Sequence, residues 1–350
     1  MPILDLPNEL LQGVAENLDS KELNHFLQTC HDLSVVLTPI LHKLALTKQG
    51  YELNALQWAA SKGHEPLVKL LLEKGVFDIN AGRGHRYGTA LHLAARGNFE
   101  TIIQLLVERG ADVTARCRTE RTPLHWAAYS GNERICSLFI EKGADVSSVD
   151  LTGASVLFDA VSQGRETVAR QLLEKGANVS GATSSENISR NSALHQAAYY
   201  GHDGVVRLLM DYGADIGVLN GNGAKPLHSA ASNSALTVAR LLLEHGGEIN
   251  FETRVGYTAL HFAAESGDAR MIALLLDNGA HINSQEGTGK TPLHLAAGNW
   301  RAEAVKALLR KGANFYTKDE SGETALDVAE EADGVDDNSI VLGVLKGMMC

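Results

Sequence analysis

The residues of this 350-residue chain best suited to chemistry are a Gly-Lys-Thr and a set of evenly spaced histidines. Gly289, Lys290 and Thr291 sit in the stretch EGTGKTPLHLAA, residues 286–297. A phosphate-binding loop reads G-x-x-x-x-G-K-[ST], with backbone N–H groups and the lysine gripping the phosphates. Its first glycine should stand at position 284, which is Ser284, so no nucleotide is expected. Histidines can serve as bases or metal ligands. Six of the fourteen (His92, His125, His195, His228, His261 and His294) occupy one recurring position, about a repeat apart and too far for shared ligation. Cys30, Cys117, Cys136 and Cys350 form no C-x-x-C pair, which predicts reduced thiols with neither a disulfide framework nor a metal site. No nucleophile with its base and no carboxylate pair in a pocket is evident, so the expectation is a non-enzymatic chain with no cofactor and no metal.

What positions these residues is an internal repeat. One motif recurs as NALQWAA at Asn54, TALHLAA at Thr89, TPLHWAA at Thr122 and SVLFDAV at Ser155. It continues as SALHQAA at Ser192, KPLHSAA at Lys225, TALHFAA at Thr258, TPLHLAA at Thr291 and TALDVAE at Thr324. The spacing is 33 residues, except 35 after the first copy and 37 after the fourth. Leu and the paired Ala fall at helical spacing, and the small Ala side chains let neighbouring helices approach closely. A second apolar run follows, as in IIQLLVERGADV, whose Gly110 supplies a left-handed stop like Gly143, Gly176 and Gly213. Thr at the motif start is an N-cap. One such helix pair cannot bury its apolar face alone, so stacking must drive folding.

The period and the T-P-L-H-x-A signature resemble the ankyrin repeat across residues 51 to about 330. The resemblance implies an all-α solenoid of about nine units with projecting β-hairpin fingers, the array spanning 51–350. It also implies that the recurring His makes structural hydrogen bonds between turns. Between its two helices the family usually places Gly, as at Gly63, Gly131, Gly164, Gly201 and Gly267; Asn98, Ser234 and Trp300 hold that place here. Trp tolerates a left-handed backbone poorly, so either Trp300 is strained or its helix end shifts by a residue. The fourth unit has Phe158 for His and Val161 for Ala, and its finger over 180–191 is four residues longer, a contact element or tolerated slack.

In that architecture the fingers and the residues after the paired Ala build a concave face. The first fingers are basic, through Arg83, Arg86, Arg116, Arg118 and Arg121, while Tyr129, Tyr199, Tyr200 and Tyr257 line the middle. The last stretch, 316–350, holds nine Asp/Glu against Lys318 and Lys346. Tyr and Arg are favoured interface anchors, so this pattern predicts a protein partner with an acidic segment near the first fingers. The plainer alternative is solvated loop charge and Tyr covering helix surface.

Residues 1–47 lack the repeat. Pro7 suits a first helical turn, and Leu10, Leu11, Val14 and Leu18 have helical periodicity. The stretch resembles an F-box, which begins Leu-Pro-x-Glu-Leu-Leu and continues through Leu-Asp-x-x-x-Leu. The matches are Leu6, Pro7, Glu9, Leu10 and Leu11, then Leu18, Asp19 and Leu23; Leu33 and His42 stand where the family commonly has Trp. A segment this short rarely holds a core alone, so it packs on the array as a cap or on another protein. The F-box resemblance implies docking on a Skp-type adaptor through Leu6, Pro7, Leu10, Leu11 and Val14. Both resemblances together imply a substrate receptor of a Skp–cullin–F-box ubiquitin ligase; the competing expectation is a plain scaffold or inhibitor.

Composition excludes other classes. The net charge of −11 argues against general binding to nucleic acid or an anionic membrane. No leading apolar run resembles a signal peptide or a membrane span. Cys350, as the final residue, cannot be the Cys of a C-a-a-X box. The expected location is cytoplasmic or nuclear.

Overall fold

The computed structural model describes residues 55–74, 78–84, 86–181, 190–331 and 338–347. The domain expected over 1–47, with Leu6, Pro7, Leu10, Leu11 and Val14, lies outside the described residues, as does most of the long finger over 180–191. The chain divides into two compact units, Met1–Leu151 and Thr152–Cys350.

Among the described residues of the first unit the helices are α1 (Ala55–Lys62), α2 (Glu65–Lys74), α3 (Ala90–Arg96), α4 (Glu100–Glu108), α5 (Pro123–Ser130) and α6 (Glu133–Glu141). The second unit begins with α7 (Val156–Ser162), α8 (Glu166–Glu174), α9 (Ala193–Tyr200), α10 (Asp203–Asp211), α11 (Pro226–Ser232) and α12 (Leu236–Glu244). It continues with α13 (Ala259–Ser266), α14 (Ala269–Asp277), α15 (Pro292–Gly298), α16 (Ala302–Arg310), α17 (Ala325–Glu331) and α18 (Asn338–Gly347). Each motif copy builds the first helix of a pair and each Leu-rich run the second. First helices pack on first helices (α1 on α3, α3 on α5; α9 on α11, α11 on α13), and second on second (α2 on α4; α10 on α12).

Helices of seven to ten residues are marginal alone in water. The paired alanines (Ala94, Ala95; Ala127, Ala128; Ala197, Ala198) are fully buried, so the first helices meet backbone to backbone. The second helices bury their branched side chains, as Ile102, Ile103 and Leu106 do on α4. Each such side chain contributes about 1.5–3 kcal/mol.

The turn inside each pair needs a left-handed residue. Gly131 and Gly201 supply it at φ 83° and 71°. Asn98, Ser234 and Trp300 adopt the same conformation at φ 59°, 59° and 54°. Both alternatives at Trp300 occur together: α15 stops at Gly298 with Asn299 as its cap, one residue earlier than α5, which runs to Ser130 with Gly131 as its cap, and Trp300 still takes the left-handed backbone. The indole Nε1 of Trp300 is buried with no hydrogen-bond partner among the described residues. A left-handed non-glycine residue costs about 1–2 kcal/mol, while glycine loses about 0.5–1 kcal/mol more entropy on folding. Ser234→Gly should therefore stabilise the protein by about 0.5–1 kcal/mol. A thermal melt at or below the wild-type value would refute this.

The fingers correct one expectation. Among the described residues they contain no regular β-strand. Each arm is so short that one bond closes it, as from Asn220 N–H to Ala224 C=O (2.9 Å), Thr253 to Tyr257 (2.9 Å) and Glu286 to Lys290 (3.0 Å). A turn bond lies inside each of these fingers, as from Gly223 N–H to Asn220 C=O (3.0 Å), and further bonds run sideways to the preceding finger: Leu151 N–H to Thr119 C=O (3.0 Å), Gly287 to Val255 (2.9 Å) and Glu320 to Thr288 (3.0 Å). That sideways stitch explains Gly289 of the Gly-Lys-Thr. It sits at φ 78°, and a Cβ there would lie 2.7 Å from the Glu320 nitrogen. Thr291 is the N-cap of α15, its side chain accepting from the His294 N–H. The lysine between them merely spans a finger base.

Candidate protein-interaction surface

The recurring histidines are structural, and their hydrogen bonds say why. The Ser192 backbone N–H donates to His195 Nδ1 (3.3 Å), and His195 Nε2–H donates to Ala224 C=O in the next repeat (2.8 Å). His92 joins Thr89 N–H (3.1 Å) to Arg121 C=O (3.0 Å) in the same way, and His294 joins Thr291 N–H (3.1 Å) to Glu323 C=O (3.1 Å). Accepting at Nδ1 fixes the proton on Nε2, so the bridge needs a neutral ring. Burial pushes His92 and His195 down to about 4 and lowers His228, His261 and His294 as well.

Two departures obey the same logic. Gln57, in the His position of the first motif, donates its amide to Gly88 C=O of the next repeat (2.7 Å). Asp327, in the final motif, accepts from Thr324 N–H (2.8 Å), which is all a carboxylate can do there. Among the described residues no group of three or more His, Cys, Asp or Glu is placed to hold a metal ion. Burial raises Cys136 to about 12, so that thiol is no nucleophile. Among the described residues no helix is long and apolar enough to cross a membrane.

The first unit gathers the basic side chains expected from the sequence and sorts them. Arg83 pairs with Asp112 (2.7 Å), Arg116 with Glu120 (3.4 Å), and Arg121 Nε with Asp150 (3.2 Å). Arg116 also donates to Val149 C=O one finger on (3.1 Å). Arg86 lies over the Tyr87 ring at 5.6 Å, and Arg118 is exposed. Two guanidinium groups lie over the Trp126 indole, Arg121 at 4.7 Å and Arg96 at 5.2 Å, with the exposed Tyr129 on the same helix, α5. Arg96 and Trp126 escaped the sequence reading: Trp126 occupies the variable position of the motif, which was given no role. Val149 and Leu151, apolar and exposed on the third finger, escaped it too.

In the second unit Tyr199 and Tyr200 are exposed at the end of α9, edge to face at 5.1 Å, and Tyr200 stacks on His202 at 5.8 Å. Tyr257 behaves differently. It is half-buried against His261 (5.5 Å) and Phe262 (5.3 Å), and burial, Glu265 and Glu286 raise its phenol pKa. The second unit thus offers Tyr199 and Tyr200 as open anchors, with Tyr257 set further in.

Comparisons with known proteins agree with this geometry. A family model described as ankyrin repeats (3 copies) matches residues 31–117, 115–183, 194–286 and 281–342. A 58-residue stretch is 43% identical to alpha-latroinsectotoxin-Lt1a of Latrodectus tredecimguttatus, covering 17% of this chain and 4% of the toxin, so the chain spans a small part of that relative. The crystal structure of the human ASB11 ankyrin repeat domain superposes with a TM-score of 0.57 at 29% identity, over 63% of this chain and 97% of that one.

Proposed function

This chain belongs to the ankyrin-repeat family, and from that premise we propose that it is the target-binding subunit of a Skp–cullin–F-box ubiquitin ligase. Ankyrin repeats bind proteins, so the array supplies the grip on a target. The observation that carries the ligase half is the Leu-Pro-x-Glu-Leu-Leu start formed by Leu6, Pro7, Glu9, Leu10 and Leu11 ahead of that array. These residues, with Val14, would meet a Skp-type adaptor. The chain itself does no chemistry in this reading. It raises the effective concentration of target lysines near a conjugating enzyme, as any tether between two binding sites does.

Co-expression of the full chain with a Skp-type adaptor tests this. The wild type should co-purify with it, and a Leu6→Ala, Pro7→Ala double variant should lose at least about 90% of the captured adaptor, since both apolar contacts go at once. No capture by the wild type, or equal capture by both, removes the ligase half. A scaffold or inhibitor is the second reading. It is favoured by one finding: the first family match begins at residue 31, inside the segment expected to be the separate 1–47 domain.

A further inference from the structure

Resting on the target-binding reading above, we propose that the first unit carries a carboxylate-reading stripe, in which Arg96, Arg118 and Arg86 receive the acidic side chains of a segment of the target protein. Charge accounting selects the sign of the partner. Of the carboxylates at and beside this unit's fingers, Asp112, Glu120 and Asp150 are each engaged by an arginine (Arg83, Arg116 and Arg121), while Asp78 and Asp145 accept the backbone N–H groups of Asn80 and Ser147. Arg86, Arg96 and Arg118 make no ion pair among the described residues. These three arginines are thus left without a carboxylate among the described residues, on a chain whose net charge is −11.

Geometry selects carboxylates. Arg96 lies over the Trp126 indole at 5.2 Å, and its N–H edges make no hydrogen bond among the described residues. Those edges form the fork that matches a carboxylate bidentately. Stacking also restricts the side chain before any partner arrives, which lowers the entropy lost on binding. Arg86 rests over Tyr87 in a comparable way at 5.6 Å.

The third finger adds a requirement. Val149 is 43% and Leu151 64% exposed, and this finger is tied to the second by the bonds from Arg116 to Val149 C=O and from Leu151 N–H to Thr119 C=O. An apolar pair thus lies beside Arg118. The fitting segment carries several Asp or Glu and at least one large apolar residue, and a basic segment would be repelled.

Fluorescence anisotropy with the full-length protein tests this, using a short fluorescein-labelled peptide of alternating Glu and Leu and its Lys counterpart. The Glu peptide should bind at least about tenfold more tightly, with affinity falling as salt rises. Arg96→Gln and Arg118→Gln should each weaken it roughly tenfold. Arg96→Lys should lose most of that factor, because an ammonium lacks the fork. Arg109→Gln removes the same charge at the end of α4, outside the stripe, and should change binding less than about twofold. Equal binding of the two peptides, unchanged affinity in Arg96→Gln and Arg118→Gln, or an equal loss in Arg109→Gln overturns the proposal. If the Arg96→Gln, Arg118→Gln chain still captures its targets from lysate, the stripe fails while the receptor reading stands.

Discussion

Acidification from pH 6.5 to pH 4 should strip the repeats of stability, beginning well above the range in which carboxylates protonate. An unfolded histidine titrates near 6.5, whereas burial holds folded His92 and His195 at about 4. Above pH 6.5 the ring is neutral in both states, so the stability is fully present there. Below 6.5 the unfolded chain binds protons that the folded one refuses, and stability falls until the folded value is reached. Each of these two rings contributes about 3 kcal/mol of this loss by pH 4. His228, His261 and His294 are lowered too, and act in the same direction. Asp112, Asp145 and Glu286 have depressed values, so their contribution is present above the ordinary carboxylate range and is lost as pH falls through that range to the lower folded values. Thermal melts at pH 7 and pH 4.5 should differ by roughly 10 °C or more. A melting temperature that stays constant across that window contradicts neutral bridging histidines.

The second large effect is His195→Ala. The ring is fully buried and joins the cap of α9 to the next repeat. Its removal strands the Ser192 N–H, leaves the Ala224 C=O with the Asn220 N–H as its remaining donor, and opens a cavity, at a cost of about 3 kcal/mol. His195→Phe should cost less. The chain already contains that solution: at Phe158 the ring volume is kept, and Ser155 Oγ accepts the Phe158 N–H at 3.1 Å instead. Equilibrium urea unfolding of the two variants gives the order directly. Both variants lose the bridge, so Phe costing more than Ala would mean that the site does not accept the larger ring.

Periodicity made the fold class, the helix pairs and their caps legible from residue types alone, because Leu and Ala spacing, Thr or Ser before it and Gly after it each answer a local need. The left-handed positions at Asn98, Ser234 and Trp300 were also legible by register. The fingers were not. Their bonds run sideways to a finger about 33 residues away, as from Leu151 to Thr119 and from Glu320 to Thr288, and no local pattern announces such a stitch. The candidate surface was half legible. A run of arginines shows in the sequence, but which of them are already engaged depends on partners such as Asp150, which lies 29 residues from Arg121. Trp126 stands at the variable position of the motif, where the repeat pattern assigns no role; the structure makes it a platform for two guanidinium groups.

The receptor account rests most heavily on residues 1–50 being a docking element instead of a lid. The direct measurement is adaptor capture by the full chain against residues 51–350, each checked by far-UV circular dichroism during a melt. The account predicts that 51–350 stays folded, keeps its affinity for the Glu peptide and captures no adaptor. A shortened chain that melts far lower and aggregates, while the full chain binds no adaptor either, would contradict it and leave a capped scaffold.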